Sequence, residues 1–348
     1  MQTRIFPFAT FALFAVSAFD AAAKDRQPHP RQAEIDSLFR AAQQAMDAGN
    51  ASAALPLLQQ VTNIDPKNDR ACLKTGDACL MLKDMEGAEK AFRKALSIRL
   101  SPEAYDGIGR VLMEGNRGQI GQAMEYFRDA LTRNWDYYEA HFHIAQAEWK
   151  LKDLDAKKAM DEALKRNPDD TRIYLLLAEW YQAPPPDLLR AIQWYERYLQ
   201  RRPDDMEIAH RLSDLYLRNK QFEKARDQAA AQFASHPDRV PELAVLALSC
   251  LGQGDLMKAD SLFTVYLDRI DPTERSYYED IRFVATPSEI QAYQSQADPQ
   301  ARRNFLRRFW AMRNPTPADD ANRRLLEHYR RVYTARTRFS DWQKPWDR

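Results

Sequence analysis

An alanine recurs along this chain at Ala54, Ala88, Ala123, Ala156, Ala191, Ala225 and Ala259, at intervals of 34, 35, 33, 35, 34 and 34 residues. A period of this size confines a chain to architectures in which one supersecondary unit stacks on the next, because no single unit buries its apolar face alone. Four residues beyond each alanine stands a mostly large apolar residue: Leu58, Phe92, Phe127, Met160, Tyr195, Ala229 and Phe263. Three further on are Val61, Ala95, Ala130, Ala163, Tyr198, Gln232 and Tyr266. Offsets of four and three put each set on one face of a helix. The small alanine admits a second helix closely, and the large residue fills the space beyond the contact.

The segment before each marker carries the complement, a large-small pair with a large residue three later. Examples are Thr75-Gly76 with Cys79, Ile108-Gly109 with Leu112, Leu177-Ala178 with Tyr181, Leu212-Ser213 with Tyr216, and Leu246-Ala247 with Cys250. Pro66, Pro168, Pro203, Pro237 and Pro272 end or follow helices at corresponding places, since proline cannot continue a helix. Each unit therefore reads as a helix hairpin. Two units depart from the pattern: "EGNRGQIGQ" is expected to lengthen the turn of the third, and "APPPD" (Ala183 to Asp187) replaces the turn of the fifth as a stiff lead into a helix.

Period, marker, large-small pair and proline together resemble the tetratricopeptide repeat over residues 33–272, about seven hairpins. The resemblance implies an all-α fold, an α-solenoid wound as a right-handed superhelix, followed by a helical C-terminal segment. It also implies a concave groove, lined by the first helix of each unit, that holds a peptide or another protein. The repeat register places Tyr138, His141, Trp149, Arg172, Glu179, His210 and Asp214 on or near that surface, a solvated helix face being the alternative for each.

Composition agrees with a helical stack: Gly is scarce at 10 and charged residues reach 29% of 348. The formal net charge of +1 hides an asymmetry, for residues 301–348 carry 13 Lys+Arg against 5 Asp+Glu while residues 1–300 carry 38 against 45. At the start, Arg4, an apolar run from Ile5 to Phe19 and small residues at Val16-Ser17-Ala18 and Ala21-Ala22-Ala23 have the order of a secretory signal peptide. The run is shorter than the roughly 20 apolar residues of a membrane span. Residues 1–23 are thus expected to be a cleaved signal, 24–32 a linker, and the mature protein periplasmic or secreted, with no transmembrane helix and no cysteine for a lipid after the apolar run. Export permits disulfides, but the three cysteines, Cys72, Cys79 and Cys250, fall at core-facing positions. Cys72 and Cys79 lie about 10 Å apart along one helix, beyond disulfide reach. Buried thiols are expected, with a bridge from Cys250 to another protein as the alternative.

Residues with catalytic or metal-ligating spacing are not found. The six histidines, His29, His141, His143, His210, His236 and His328, show no ligand pattern, and His141 and His143 point in different directions on one helix. The "GIG" of Gly107 to Gly109 lacks the rest of a dinucleotide loop and sits in a repeat helix, where it serves packing. No catalytic residue, metal site or cofactor is assigned.

After Pro272 the marker stops. Helix starts are read at Thr286-Pro287-Ser288 and near Asp298-Pro299, a break at Asn314 to Pro317, and a new helix N-terminus favoured by Asp319 and Asp320. On that last helix Leu325, Tyr329, Val332 and Tyr333 form an apolar stripe, mostly flanked by Arg323, Arg324, Arg330 and Arg331. Phe309, Trp310, Arg313, Asn314, Pro315, Thr316, Pro317, Asn322, Tyr329, Arg331, Arg338, Phe339, Trp346 and Asp347 resemble the opening of the GWxTD domain. Asn314 stands for that family's Asp and Arg323 for its Glu, and no Gly precedes Trp346. The resemblance implies that residues 273–348 are the helical first part of a second module, incomplete in this sequence, with Phe309, Trp310 and Tyr329 as its core. Its arginines are expected to pair with the acidic repeats or to await strands.

The function expected from sequence is that of a non-enzymatic envelope scaffold for protein or peptide partners, with no nucleic-acid partner. Two alternatives stay open: binding of nucleic acid or an anionic surface through the Arg-rich tail, and service as the repeat module of an enzyme whose catalytic part lies beyond residue 348.

Overall fold

The marker alanines and the residues four and seven beyond them are all buried. The seven alanines have no exposed surface, and the residues four beyond them, from Leu58 to Phe263, are at most 2% exposed. Burying a large side chain of this kind stabilises the fold by about 1.5–3 kcal/mol each, so the repeat pattern supplies a large part of the core. The computed structural model describes residues 30–153, 155–317 and 321–338. The expected signal peptide of residues 1–23 lies outside them, as do Asp319, Asp320, Phe339, Trp346 and Asp347.

The described residues form helices without a strand. The chain divides into two compact units, one ending at Pro168 and the other beginning at Asp169, a division within the repeats and not at their end. In the first unit α1 (Gln32–Asp47) pairs with α2 (Ala51–Ile64), α3 (Asp69–Met81) with α4 (Met85–Ile98), α5 (Pro102–Leu112) with α6 (Arg117–Arg133), and α7 (Tyr138–Leu151) with α8 (Ala156–Arg166). In the second unit α9 (Thr171–Gln182) pairs with α10 (Leu188–Arg201), α11 (Met206–Arg218) with α12 (Phe222–Ser235), and α13 (Pro241–Gln253) with α14 (Leu256–Arg269). Then come α15 (Pro272–Tyr278), α16 (Pro287–Gln294), α17 (Pro299–Ala311) and α18 (Arg323–Arg338).

Side-chain caps start many of these helices. Asn68, Asp84 and Asp205 accept hydrogen bonds from the backbone N–H groups of Ala71, Gly87 and Ile208 at 3.0, 2.9 and 3.1 Å, satisfying donors that a helix leaves open at its start. The Gly-Ile-Gly run is packing, as read: a Cβ on Gly107 would collide with the Phe92 ring and one on Gly109 with the Phe127 ring. All three cysteines are buried and unpaired. The insertion in the third hairpin lengthens its turn by only one residue relative to the first, second and sixth hairpins. Most of it goes into helix, giving α6 17 residues that begin in a capping box between Asn116 and Gln119.

Beyond the hairpins, α18 packs on α13, α14 and α15. Leu326, Val332 and Tyr333 share one core with Leu243, Leu248, Phe263 and Tyr266 of the last hairpin. The Tyr329 ring lies 5.1 Å from Phe263 and 5.9 Å from Tyr278. A smaller core of Ile281, Leu306, Phe309 and Trp310 joins α17 to the segment after α15. Thus α18 stands where a further repeat would supply its first helix, and it covers the apolar end of the array.

Candidate functional site

The first helices of the second unit project a row of polar side chains along one face. His210, Asp214 and Arg218 of α11 are spaced by four, so each stands one turn above the last. Glu179 from α9 joins His210 and Asp214 in lining a cavity of about 500 Å³, together with Tyr195, Tyr333 and Thr337. Asp214, Arg218, Tyr333 and Thr337 also line an adjoining lobe of about 680 Å³ floored by Leu217, Leu248 and Leu251. The shared walls make the two lobes one cleft, bounded by α9, α11 and α13 on one side and by α18 on the other.

Beneath it lies a buried polar group. Glu242 is fully buried; its Oε1 accepts from His210 Nδ1 at 3.0 Å and lies 3.5 Å from Arg239 Nε. Its Oε2 and the Tyr333 hydroxyl have no hydrogen-bond partner among the described residues. Burial pushes the Asp214 carboxyl above its usual range, opposed by the nearby charges of Arg218, Arg338 and His210. Burial, aided by the charges of Asp214, Tyr266 and Glu242, holds the Tyr333 hydroxyl well above the ordinary tyrosine value, so it stays a neutral donor. The cleft thus offers charged and hydrogen-bonding groups over an apolar floor, which suits recognition of an extended chain.

Three of the seven groove residues read from sequence, Glu179, His210 and Asp214, meet in this cleft. Arg172 lies exposed in the first turn of α9, where its Nε donates to Asp170 at 2.9 and 3.1 Å. Tyr138, His141 and Trp149 all lie on α7 in the first unit. His141 needs correction: it is buried, and its Nε2 donates to the Trp135 carbonyl at 2.8 Å, with the Trp135 ring edge-on at 5.5 Å. A ring engaged in this way holds the connection between the third and fourth hairpins and is not presented to a groove. Among the described residues no group of three or more His, Cys, Asp or Glu is gathered to hold a metal ion.

The C-terminal set builds structure. Phe309 and Trp310 are buried, and the Arg313 guanidinium stacks on the Phe309 ring at 3.7 Å while its Nη2 donates to Glu289 at 2.7 and 2.8 Å. Asn314 Oδ1 accepts from the Thr316 N–H at 3.2 Å, turning the chain through Pro315 and Pro317. Asn322 caps α18: its Oδ1 accepts from the N–H groups of Arg324 and Leu325, and its Nδ2 donates to the Trp310 carbonyl at 2.6 Å. Three of the tail arginines pair with carboxylates outside the repeats. Arg330 and Arg331 hold Glu327, and Arg336 holds Glu274.

Arg218, Leu248, Tyr333 and Arg338 belong to the cleft but were not marked as groove residues by the sequence. The four-residue step from Asp214 to Arg218 was a usable signal; the arrival of α18 opposite α11 had none.

Residues 45–108 and 155–206 match models of the tetratricopeptide repeat family. Compared with curated proteins, the chain has no significant match. Among solved structures it is similar to PilW, described as a widely conserved type IV pilus biogenesis factor, at 24% identity, over 61% of this chain and 98% of that one, with a TM-score of 0.50. It is also similar to a thermophilic tetratricopeptide-repeat protein of Thermus thermophilus (21% identity, 53% and 99% of the chains, TM-score 0.49) and to PilF of Pseudomonas aeruginosa (16%, 61% and 96%, TM-score 0.49). At such identities these likenesses concern the fold.

Proposed function

This chain is a tetratricopeptide-repeat protein, and from that premise we propose that it is an exported scaffold of the bacterial cell envelope that binds a protein partner and catalyses no reaction itself. The observation that carries the reading is the cleft of the second unit, where Glu179, His210 and Asp214 converge from successive first helices. The pattern residues of the hairpins are spent on packing, and this face is where the repeats keep polar groups turned towards open space. Export rests on the order of charge, apolar run and small residues at the start of the chain. The C-terminal helices, resembling the GWxTD opening, serve here as the end cover of the array.

The test is site-specific photo-crosslinking in the source host. A photoreactive residue in place of Glu179 is expected to trap one protein of defined mass, and the same residue in place of Glu223, exposed on α12, is expected to trap none. Equal trapping at both positions, or none at Glu179, overturns the reading.

A further inference from the structure

Only about half of the described arginines of the second unit are tied to a carboxylate, as Arg313, Arg330, Arg331 and Arg336 are. Four cations around the larger lobe of the cleft are not. Arg218, Lys220, Arg323 and Arg338 all line that lobe and form no ion pair among the described residues. They come from two segments far apart in sequence, the end of α11 with its following turn and the two ends of α18. The floor between them is apolar: Leu248 is buried, Leu217 and Leu251 are partly so, and Gly252 leaves room for the Phe222 ring, with which a Cβ there would collide. Within the same lobe Glu327 is neutralised by Arg330 and Arg331, which leaves Asp214 as the opposing charge.

We propose that this lobe is the docking site for an acidic, amphipathic peptide segment of the partner, with its carboxylates on Arg218, Lys220, Arg323 and Arg338 and its large apolar side chains on Leu217, Leu248 and Leu251; the proposal rests on the binding function just given. Charge complementarity selects the occupant. Cations held around an apolar floor lose solvent on the peptide's arrival, which strengthens their pull on carboxylates relative to bulk water. Arginine suits the task through its planar fork, which takes a carboxylate by two parallel hydrogen bonds. A nucleic acid fits less well. Bases need open aromatic faces, whereas Tyr333, a ring of this lobe, is buried. The site also differs from a groove made by repeats alone, because half of its cations are brought by α18.

The experiment is fluorescence anisotropy with the full chain and a labelled short peptide alternating Glu and Leu. Three further probes are a Lys/Leu peptide, a Glu/Ser peptide and a single-stranded oligothymidine. The Glu/Leu peptide is expected to bind saturably, more weakly as salt rises, and at least tenfold more weakly to the Arg218→Glu/Arg338→Glu double variant, whose circular dichroism should match the parent. Lys220→Glu, at an exposed turn, gives a second charge reversal should the double variant misfold. Arg218→Lys is expected to retain most of the binding. The proposal is overturned by no binding of the Glu/Leu peptide, by equal binding to the reversed variants, by equal binding of the Lys/Leu or Glu/Ser peptide, or by tighter binding of the oligothymidine. Trapping of a partner at Glu179 alongside any of those outcomes leaves the scaffold function standing and removes only the acidic-peptide assignment.

Discussion

Glu289 shows how one residue ties two local structures together. Its carboxylate accepts from the Thr286 N–H at 2.8 Å, closing the capping box of α16, and from Arg313 at the turn after α17. Those bonds lower its pKa from the ordinary 4.5 to about 2, the backbone bond from Thr286 being the largest cause. A folded value below the unfolded one means that the stabilisation is complete above the unfolded value and is lost as pH falls through the folded one. The thermal midpoint of Glu289→Gln should therefore lie below that of the parent at neutral pH, with the gap closing as pH drops from 4.5 towards 2. A gap that stays constant over that whole range would contradict the assignment. The hairpin turns supply a second residue-scale case. Lys83, Lys152 and Lys220 adopt positive φ near 60°, where Gly49 and Gly254 stand in other hairpins. A side chain in that region costs about 1 kcal/mol or more, partly offset by glycine's freedom when unfolded. Lys83→Gly should raise stability by up to about 1 kcal/mol in urea unfolding; a loss would show that Lys83 has a compensating contact. The Ala markers were legible in sequence because close helix approach demands a small residue at a fixed period. The left-handed lysines were not, because lysine carries no turn signal.

At the scale of elements, the apolar stripe of α18 was legible, and the core residues Tyr329, Val332 and Tyr333 lie on it, with Leu326 added by the structure. What the stripe packs against was hidden, because Phe263 and Tyr278 are remote in sequence and no local rule links them to Tyr329. The arginines were expected to seek the acidic repeats; Arg330 and Arg331 instead hold Glu327 on their own helix, while Arg313 and Arg336 reach Glu289 and Glu274, which lie beyond any local rule. If α18 is the end cover of the last hairpin, truncating its central ring should expose that hairpin's core. Tyr329 is partly buried against that core, so Tyr329→Ala should cost somewhat less than the roughly 3–5 kcal/mol for deleting a fully buried aromatic. A loss under about 1 kcal/mol would show that α18 rests on the array without supporting it.

For the whole molecule, period and marker residues announced the architecture, while the candidate site came only in part: Glu179, His210 and Asp214 were marked, and the opposing wall from α18 was not. A solenoid builds its core from neighbours in sequence, which is why pattern reveals it. A cleft closed by a returning helix depends on a distant contact that pattern does not carry. The basic excess of residues 301–348 now has a structural place in part, since Arg323 and Arg338 line the cleft and others hold local carboxylates. The most direct test of the scaffold account is amide hydrogen exchange across the chain, measured with and without the protein trapped at Glu179. Binding in the cleft predicts slowed exchange in α9, α11, α13 and α18, with α12 and α14 unchanged. Slowing confined to α12 and α14, or absent throughout, would contradict it.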